Sequence, residues 1–307
     1  MRRGSSLLSL FVLLLLSACA SPLVMQSVRT PDSPLAKQSH TVVFIHGMFM
    51  TPLCWEKWEP YFQSHGYRTF APAWPEHDQP IESQRASHPN PRLAALTLGA
   101  VLDHYRTFLR SLDEKPILVG HSMGGLIVQI LLQEGLGAAG IAIDSAPPKG
   151  VISLKYSFLK SNWPAISPSA KIDEPIRMSF DSFQYAFVST LPLSEQQAAY
   201  ARYVVPESRR IGKGPTTETA QLNFQQARPP LLLLAGAKDH IIPSSLNRDN
   251  FDKYRKTPAI TDFREFPERT HWIIAQEGWE EVAEYVLNWL SGVYAPAMSD
   301  PAPSSGR

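Results

Sequence analysis

A serine stands between two glycines in Gly120-His121-Ser122-Met123-Gly124, after the apolar run Pro116-Ile117-Leu118-Val119 and before the helix-like stretch from Leu126 to Leu132. The pattern reads as a buried strand turning sharply into a helix, with the hydroxyl lifted off the corner and the glycines letting strand and helix close on each other. A serine hydroxyl is a weak nucleophile at neutral pH, so it needs an imidazole to take its proton and a carboxylate to hold that imidazole. Asp239 follows the apolar strand that ends at Ala235-Gly236 and is the first candidate acid. Asp144, which closes Gly140-Ile141-Ala142-Ile143, is the competing acid because it too lies at a strand end. His271, in Arg269-Thr270-His271-Trp272, is the candidate base; of the nine histidines only it and His240 lie downstream of Asp239. Attack on a carbonyl also needs two donors aimed at the developing oxyanion. One is the amide of Met123. The other comes from His46-Gly47-Met48-Phe49, with Met48 preferred over Phe49, and His46 is expected to brace that loop through a hydrogen bond rather than act as a base.

These groups must be carried by strands whose C-terminal ends share one edge, where open α/β sheets place their functional groups. Strands are expected at Thr41–Ile45, Tyr67–Ala71, the elbow strand, Ile141–Asp144, Leu231–Ala235 and Ile260–Phe266. Helices are expected near Trp55–His65, as one long element around Arg92–Ser111, after the elbow serine, and at Glu277–Leu290 with Val282, Val286, Leu287 and Leu290 inward. Continuous apolar strands alternating with helices predict an α/β fold: a mostly parallel sheet of about six strands covered on both faces. The alternation stops between Asp144 and Leu231. There, residues about 151–226 hold ten aromatic rings, among them Phe158, Trp163, Phe183 and Tyr203, and a helix near Ser194–Tyr203 with Ser194 as its cap. Glu76, His77 and Asp78 imitate a metal cluster, but neighbours on one loop do not converge on an ion without a distant further ligand, so they read as solvated.

The matching pieces, His46-Gly47 after the first core strand, Gly120-His121-Ser122-Met123-Gly124-Gly125, Gly236-Ala237-Lys238-Asp239-His240 and Thr270-His271-Trp272, together resemble the α/β-hydrolase fold superfamily in its compact lipase/esterase and non-haem haloperoxidase-like branch. The resemblance implies Ser122 as nucleophile, Asp239 as orienting acid, His271 as general base, and Met48 and Met123 as oxyanion donors. It also implies that the insertion at 151–226 is a helical cap over the site. The expected activity is cleavage of a carboxylic ester, of an apolar or lipid-like substrate, through an acyl-enzyme. The alternatives are an amidase, an acyl-lactone hydrolase or a perhydrolase, and, from another class, a noncatalytic envelope binding protein.

Residues 1–18 carry a basic start, Met1-Arg2-Arg3, and an apolar run from Leu7 to Leu16 too short to span a bilayer, the arrangement of a secretory signal. Leu16-Ser17-Ala18-Cys19 resembles a bacterial lipobox, which implies acylation of Cys19 and a cell-envelope location, with the outer membrane favoured because Ala20 and not an aspartate follows; simple cleavage to a periplasmic or secreted enzyme is the alternative. Residues 19–39 then read as a Pro/Ser-rich tether, 40–292 as the catalytic domain, and 293–307 as a disordered tail. The chain has two cysteines, so no disulfide framework is expected, and Cys54 beside Trp55 and Trp58 reads as a buried thiol. With 29 basic and 28 acidic residues and no basic patch, zinc spacing or phosphate loop, the sequence calls for no nucleic acid, metal or cofactor.

Overall fold

Four strands made of consecutive apolar residues form the centre of one sheet. The computed structural model describes residues 26–28, 39–167 and 171–294. The leader, Cys19 and the tail beyond 294 lie outside the described residues. The strands are β1 (Gln26–Val28), β2 (Thr41–Ile45), β3 (Arg68–Phe70), β4 (Ile117–His121), β5 (Ala139–Ile143), β6 (Leu231–Gly236) and β7 (Thr261–Phe266), in the spatial order β1-β7-β6-β5-β4-β2-β3. Every residue of β2, β4, β5 and β6 is buried. Because alternate side chains point to opposite faces, full burial means that both faces are covered by helices, the arrangement that parallel sheets require. Six strands run parallel, as expected. The seventh, β1, falls in the stretch read as a tether and pairs antiparallel with β7 through Gln26 and Phe263. An open backbone edge on β7 gives such a segment its hydrogen-bond partners, a signal that side-chain patterning does not carry.

The described residues form eleven α-helices in chain order: α1 (Trp58–Ser64), α2 (Ile81–Ala86), α3 (Pro91–Ala95), α4 (Leu98–Arg110), α5 (Met123–Gln133), α6 (Tyr156–Ile166), α7 (Phe180–Ala186), α8 (Leu193–Tyr203), α9 (Arg209–Lys213), α10 (Ser244–Lys253) and α11 (Trp279–Tyr294). The single long helix expected over Arg92–Ser111 is two. Leu96 and Thr97 leave helical geometry, and the Thr97 hydroxyl accepts the Ala100 amide at 3.2 Å, so a cap inside the apolar period restarts the helix. Ser194 likewise does not cap α8, which begins at Leu193 behind Pro192. In α11 the buried Val282, Val286, Trp289, Leu290 and Val293 recur at helical spacing, while Glu280 and Glu281 sit at the positive N-terminal end. Cys54 is a buried free thiol.

Register aligns the functional edge. Ile45 is level with Gly120, His121 with Ile143, Ile143 with Leu234, and Gly236 with Phe266. The loops after β2, β4, β5, β6 and β7 therefore leave the sheet side by side. α6 to α9 occupy the insertion after β5.

Candidate active site

Ser122 is the corner between β4 and α5, with φ 59° and ψ −120°, a conformation that side-chain-bearing residues rarely adopt. The corner closes because of its glycines. A Cβ on Gly120 would lie 2.2 Å from the Gly124 carbonyl oxygen, and one on Gly124 would lie 2.1 Å from that of Ile45. Ser122 donates its amide to Ile143 at 2.9 Å and accepts the Gly125 amide at its own carbonyl, also at 2.9 Å, so it leads directly into α5, whose N-terminal end favours developing negative charge.

His271 and Asp239, thirty-two residues apart, meet with Nδ1 2.6 Å from Oδ2. The other carboxylate oxygen of Asp239 accepts the amides of Ile241 at 2.7 Å and Ile242 at 2.8 Å, which fixes the acid in the turn after β6. Nε2 of His271 is buried without a hydrogen-bond partner. Its ring packs 4.6 Å from that of His121, the neighbour of Ser122, and 4.7 Å from Phe187, which lines the same cavity as Ser122. His121 Nε2 in turn bonds the His271 carbonyl at 2.8 Å, tying the histidine loop to the elbow. Burial pushes the His271 imidazole down to about 3, so it is neutral and able to accept a proton.

Asp144 lies beside this pair, fully buried, at φ 42°, with Oδ1 accepting the Gly236 amide at 2.7 Å. Its carboxyl contacts that of Asp239, and burial raises both, with the neighbouring Asp239 charge raising Asp144 further. Two adjacent buried carboxyls cannot both ionise. Three N–H donors on Asp239 against one on Asp144 put the negative charge on Asp239 and the proton on Asp144. Donor atoms of His121, Asp144 and His271 all lie within 4.8 Å of one another, so the two acids and two histidines form one buried network.

The loop after β2 faces the serine from the other side. A Cβ on Gly47 would come within 2.8 Å of the Ser122 Cβ, so only glycine allows this approach. Met48 and Met123 line the cavity together with Ser122. The Phe49 amide, the second-choice oxyanion donor, is already committed to the Glu207 carboxylate at 3.2 Å. His46 bridges two segments: Nδ1 contacts the Gly47 carbonyl at 2.9 Å, and Nε2 accepts the Trp74 amide at 3.2 Å.

Glu207 was not legible from the sequence. It is wholly buried in the cap, between α8 and α9, and holds the strained Phe49 (φ 64°), while the Val205 amide donates to the Phe49 carbonyl at 2.9 Å. Oε2 of Glu207 also lies 3.3 Å from His77 Nε2. The expectation of a solvated His77 is therefore corrected: burial is the largest single influence and would lower its basicity, but the charge and hydrogen bond of Glu207, with the Pro75 carbonyl and the Glu76 charge, together raise it. Its loop neighbour Asp78 is exposed, as expected, and Glu76 is half-buried. Among features of the sequence, only the position of this acid just before Ser208, which caps α9, hints at such a role.

A cavity of about 770 Å³ opens over Ser122, between the sheet edge and the cap, with walls that include Phe158, Ile176, Met178, Phe187, Ile241 and Ile242. Such a lining suits an apolar group next to the hydroxyl. Other cap aromatics pack away from the cavity: Phe183 lies against Phe187, Tyr200 and the loop residue Trp272, and Tyr203 against Trp272.

The family model of the alpha/beta hydrolase family matches residues 42–285. Among solved structures, the fold is similar to that of polyneuridine aldehyde esterase (16% identity, TM-score 0.58, 82% of this chain and 99% of that one). It is also similar to a monoacylglycerol lipase from Paleococcus ferrophilus (19%, TM-score 0.58, 89% and 100%). A pyrethroid hydrolase from Sphingobium faniae matches at 16%, TM-score 0.58, over 82% and 97%. At these identities the likeness is one of fold. No match among curated proteins was found by sequence.

Proposed function

Because the chain belongs to the alpha/beta hydrolase family, we propose that it cleaves carboxylic esters of apolar or lipid-like character by a serine-dependent acyl-enzyme route. The observation that carries this reading is the 2.6 Å contact between His271 Nδ1 and Asp239, beside a strained serine that opens on an apolar cavity. Ser122 Oγ attacks the ester carbonyl as its proton passes to His271 Nε2, and the oxyanion is received by the Met48 and Met123 amides. Asp239 holds the imidazolium. Collapse expels the alcohol, which takes the proton from Nε2, and water then repeats the sequence to release the acid and free the serine. A leaving alcohol needs only one proton, which the single imidazole supplies. The proposal extends to the leader: acylation at Cys19 would anchor the enzyme in a bacterial envelope, with the 19–39 segment as spacer.

A panel of p-nitrophenyl esters of rising acyl length tests the activity. We expect turnover that improves from acetyl to medium chains, as the cavity fills, and falls at least about 10³-fold in S122A. Amide or lactone turnover with inert esters would overturn the ester reading.

A further inference from the structure

Six large apolar side chains stand exposed among the described residues, and five of them lie within twelve consecutive positions of the cap: Ile152 (74% exposed), Leu154 (85%), Tyr156 (74%), Leu159 and Trp163 (56%). Soluble surfaces tolerate such residues singly; a cluster this dense marks an interaction face. The cluster adjoins the mouth of the cavity, because Ile152, Phe158 and Pro164 of the same segment also line it.

Charge identifies the occupant. From Ser145 to Ile172 the chain has lysines at 149, 155, 160 and 171 and no aspartate or glutamate, although the whole sequence is nearly balanced. Three acids near this segment are already paired. Glu218 takes Lys149, Glu174 takes Lys171, and Asp173 takes Arg210. Lys160 Nζ lies over the Tyr185 ring at 3.7 Å, and neither it nor Lys155 has an acidic partner among the described residues. Apolar side chains with tyrosine, tryptophan and lysine on one short segment match an element lying in the plane of a membrane, with rings and aliphatic groups in the acyl boundary and ammonium groups at the phosphates. No helix among the described residues is long and apolar enough to cross a membrane, so the contact is one of surface seating. A second copy fits less well, since a two-fold contact on this face would oppose Lys155 and Lys160 to their own equivalents.

We propose that residues 152–163 of the cap seat on an anionic lipid surface, with Ile152, Leu154, Tyr156 and Trp163 in the acyl boundary and Lys155 and Lys160 at the headgroups, so that the cavity mouth opens toward the lipid. The seating is independent of any anchor at Cys19 and of the ester reading.

Tryptophan fluorescence of the full chain, titrated with vesicles of equal parts brominated phosphatidylglycerol and phosphatidylcholine, tests it. Expected are quenching that W163F largely removes, apparent vesicle affinity at least about tenfold weaker in L154E, and several-fold weaker binding to phosphatidylcholine alone. Soluble p-nitrophenyl ester turnover without vesicles stays within about twofold in both variants, because neither residue lines the cavity. Absence of quenching, quenching that survives W163F and L154E, or a dimer in sedimentation velocity that L154E dissociates would each overturn the proposal. A chain that is quenched as expected but inert toward esters would leave the seating intact and remove the ester reading instead.

Discussion

Asp239 and Asp144 show how hydrogen bonds sort two similar residues into different roles. Both end strands, both are buried, and the sequence ranks them only by their place in chain order. In the folded chain the His271 contact and two backbone amides fall on Asp239, while Asp144 takes one amide and the shared proton. Asp239→Ala should therefore lower the acylation rate by about 10³-fold or more, whereas Asp144→Ala should cost less than about tenfold and Asp144→Asn, which keeps a hydrogen-bond donor toward Asp239, still less. Pre-steady-state acylation kinetics rank the three variants, and the reverse order would move the orienting acid to Asp144. The convergence of Ser122, Asp239 and His271 on one sheet edge was legible because each sits in a short motif at a strand end. The contact of Glu207 with His77 was not, since nothing local couples a glutamate between two cap helices to a histidine 130 positions upstream.

At the scale of elements, the account rests on a cap that holds the loop after β2. Phe49 is gripped at both backbone groups, by the Glu207 side chain and the Val205 amide, and Phe49 is adjacent to the proposed donor Met48. Glu207→Ala frees that loop and should lower kcat by about 10- to 100-fold, less than the roughly 10²- to 10³-fold cost of removing an oxyanion donor outright, with KM within about threefold. Glu207→Gln keeps an acceptor for the Phe49 amide and should recover most of kcat. A Glu207→Ala enzyme with unaltered kcat would show that the grip does not position the oxyanion site. The elements themselves were legible wherever apolar residues ran uninterrupted, as in β4, β5 and β6. They were misread where a polar cap, Thr97, interrupts a helical period, and where strand pairing depends on backbone alone, as in β1.

Across the whole molecule, burial of neutral imidazoles links stability to pH. Burial lowers His46, His121 and His271 below the ordinary histidine value of about 6.5, while His77, opposed by Glu207, is raised. Below pH 6.5 the unfolded chain binds a proton on each of these four rings, whereas the folded chain binds one on His77 and, separately, one on the Asp144 carboxyl, two against four. The unfolded state thus binds more protons, and stability falls as pH falls. Between pH 6.5 and 5 the melting temperature should decline, with each uncompensated ring contributing about 1 kcal/mol per pH unit. Thermal unfolding followed by circular dichroism reads this directly, and a melting temperature that rises over the same window would contradict the neutral burial of these histidines.

The central claim is that a hydroxyl on the β4 corner, an imidazole after β7 and a carboxylate after β6 act as one unit. Fluorophosphonate labelling followed by peptide mass spectrometry tests it most directly. A single phosphonyl adduct on Ser122 is expected, absent in S122A and formed at least about 10³-fold more slowly in H271A. An adduct on another residue, or labelling of Ser122 at the wild-type rate in H271A, would contradict it.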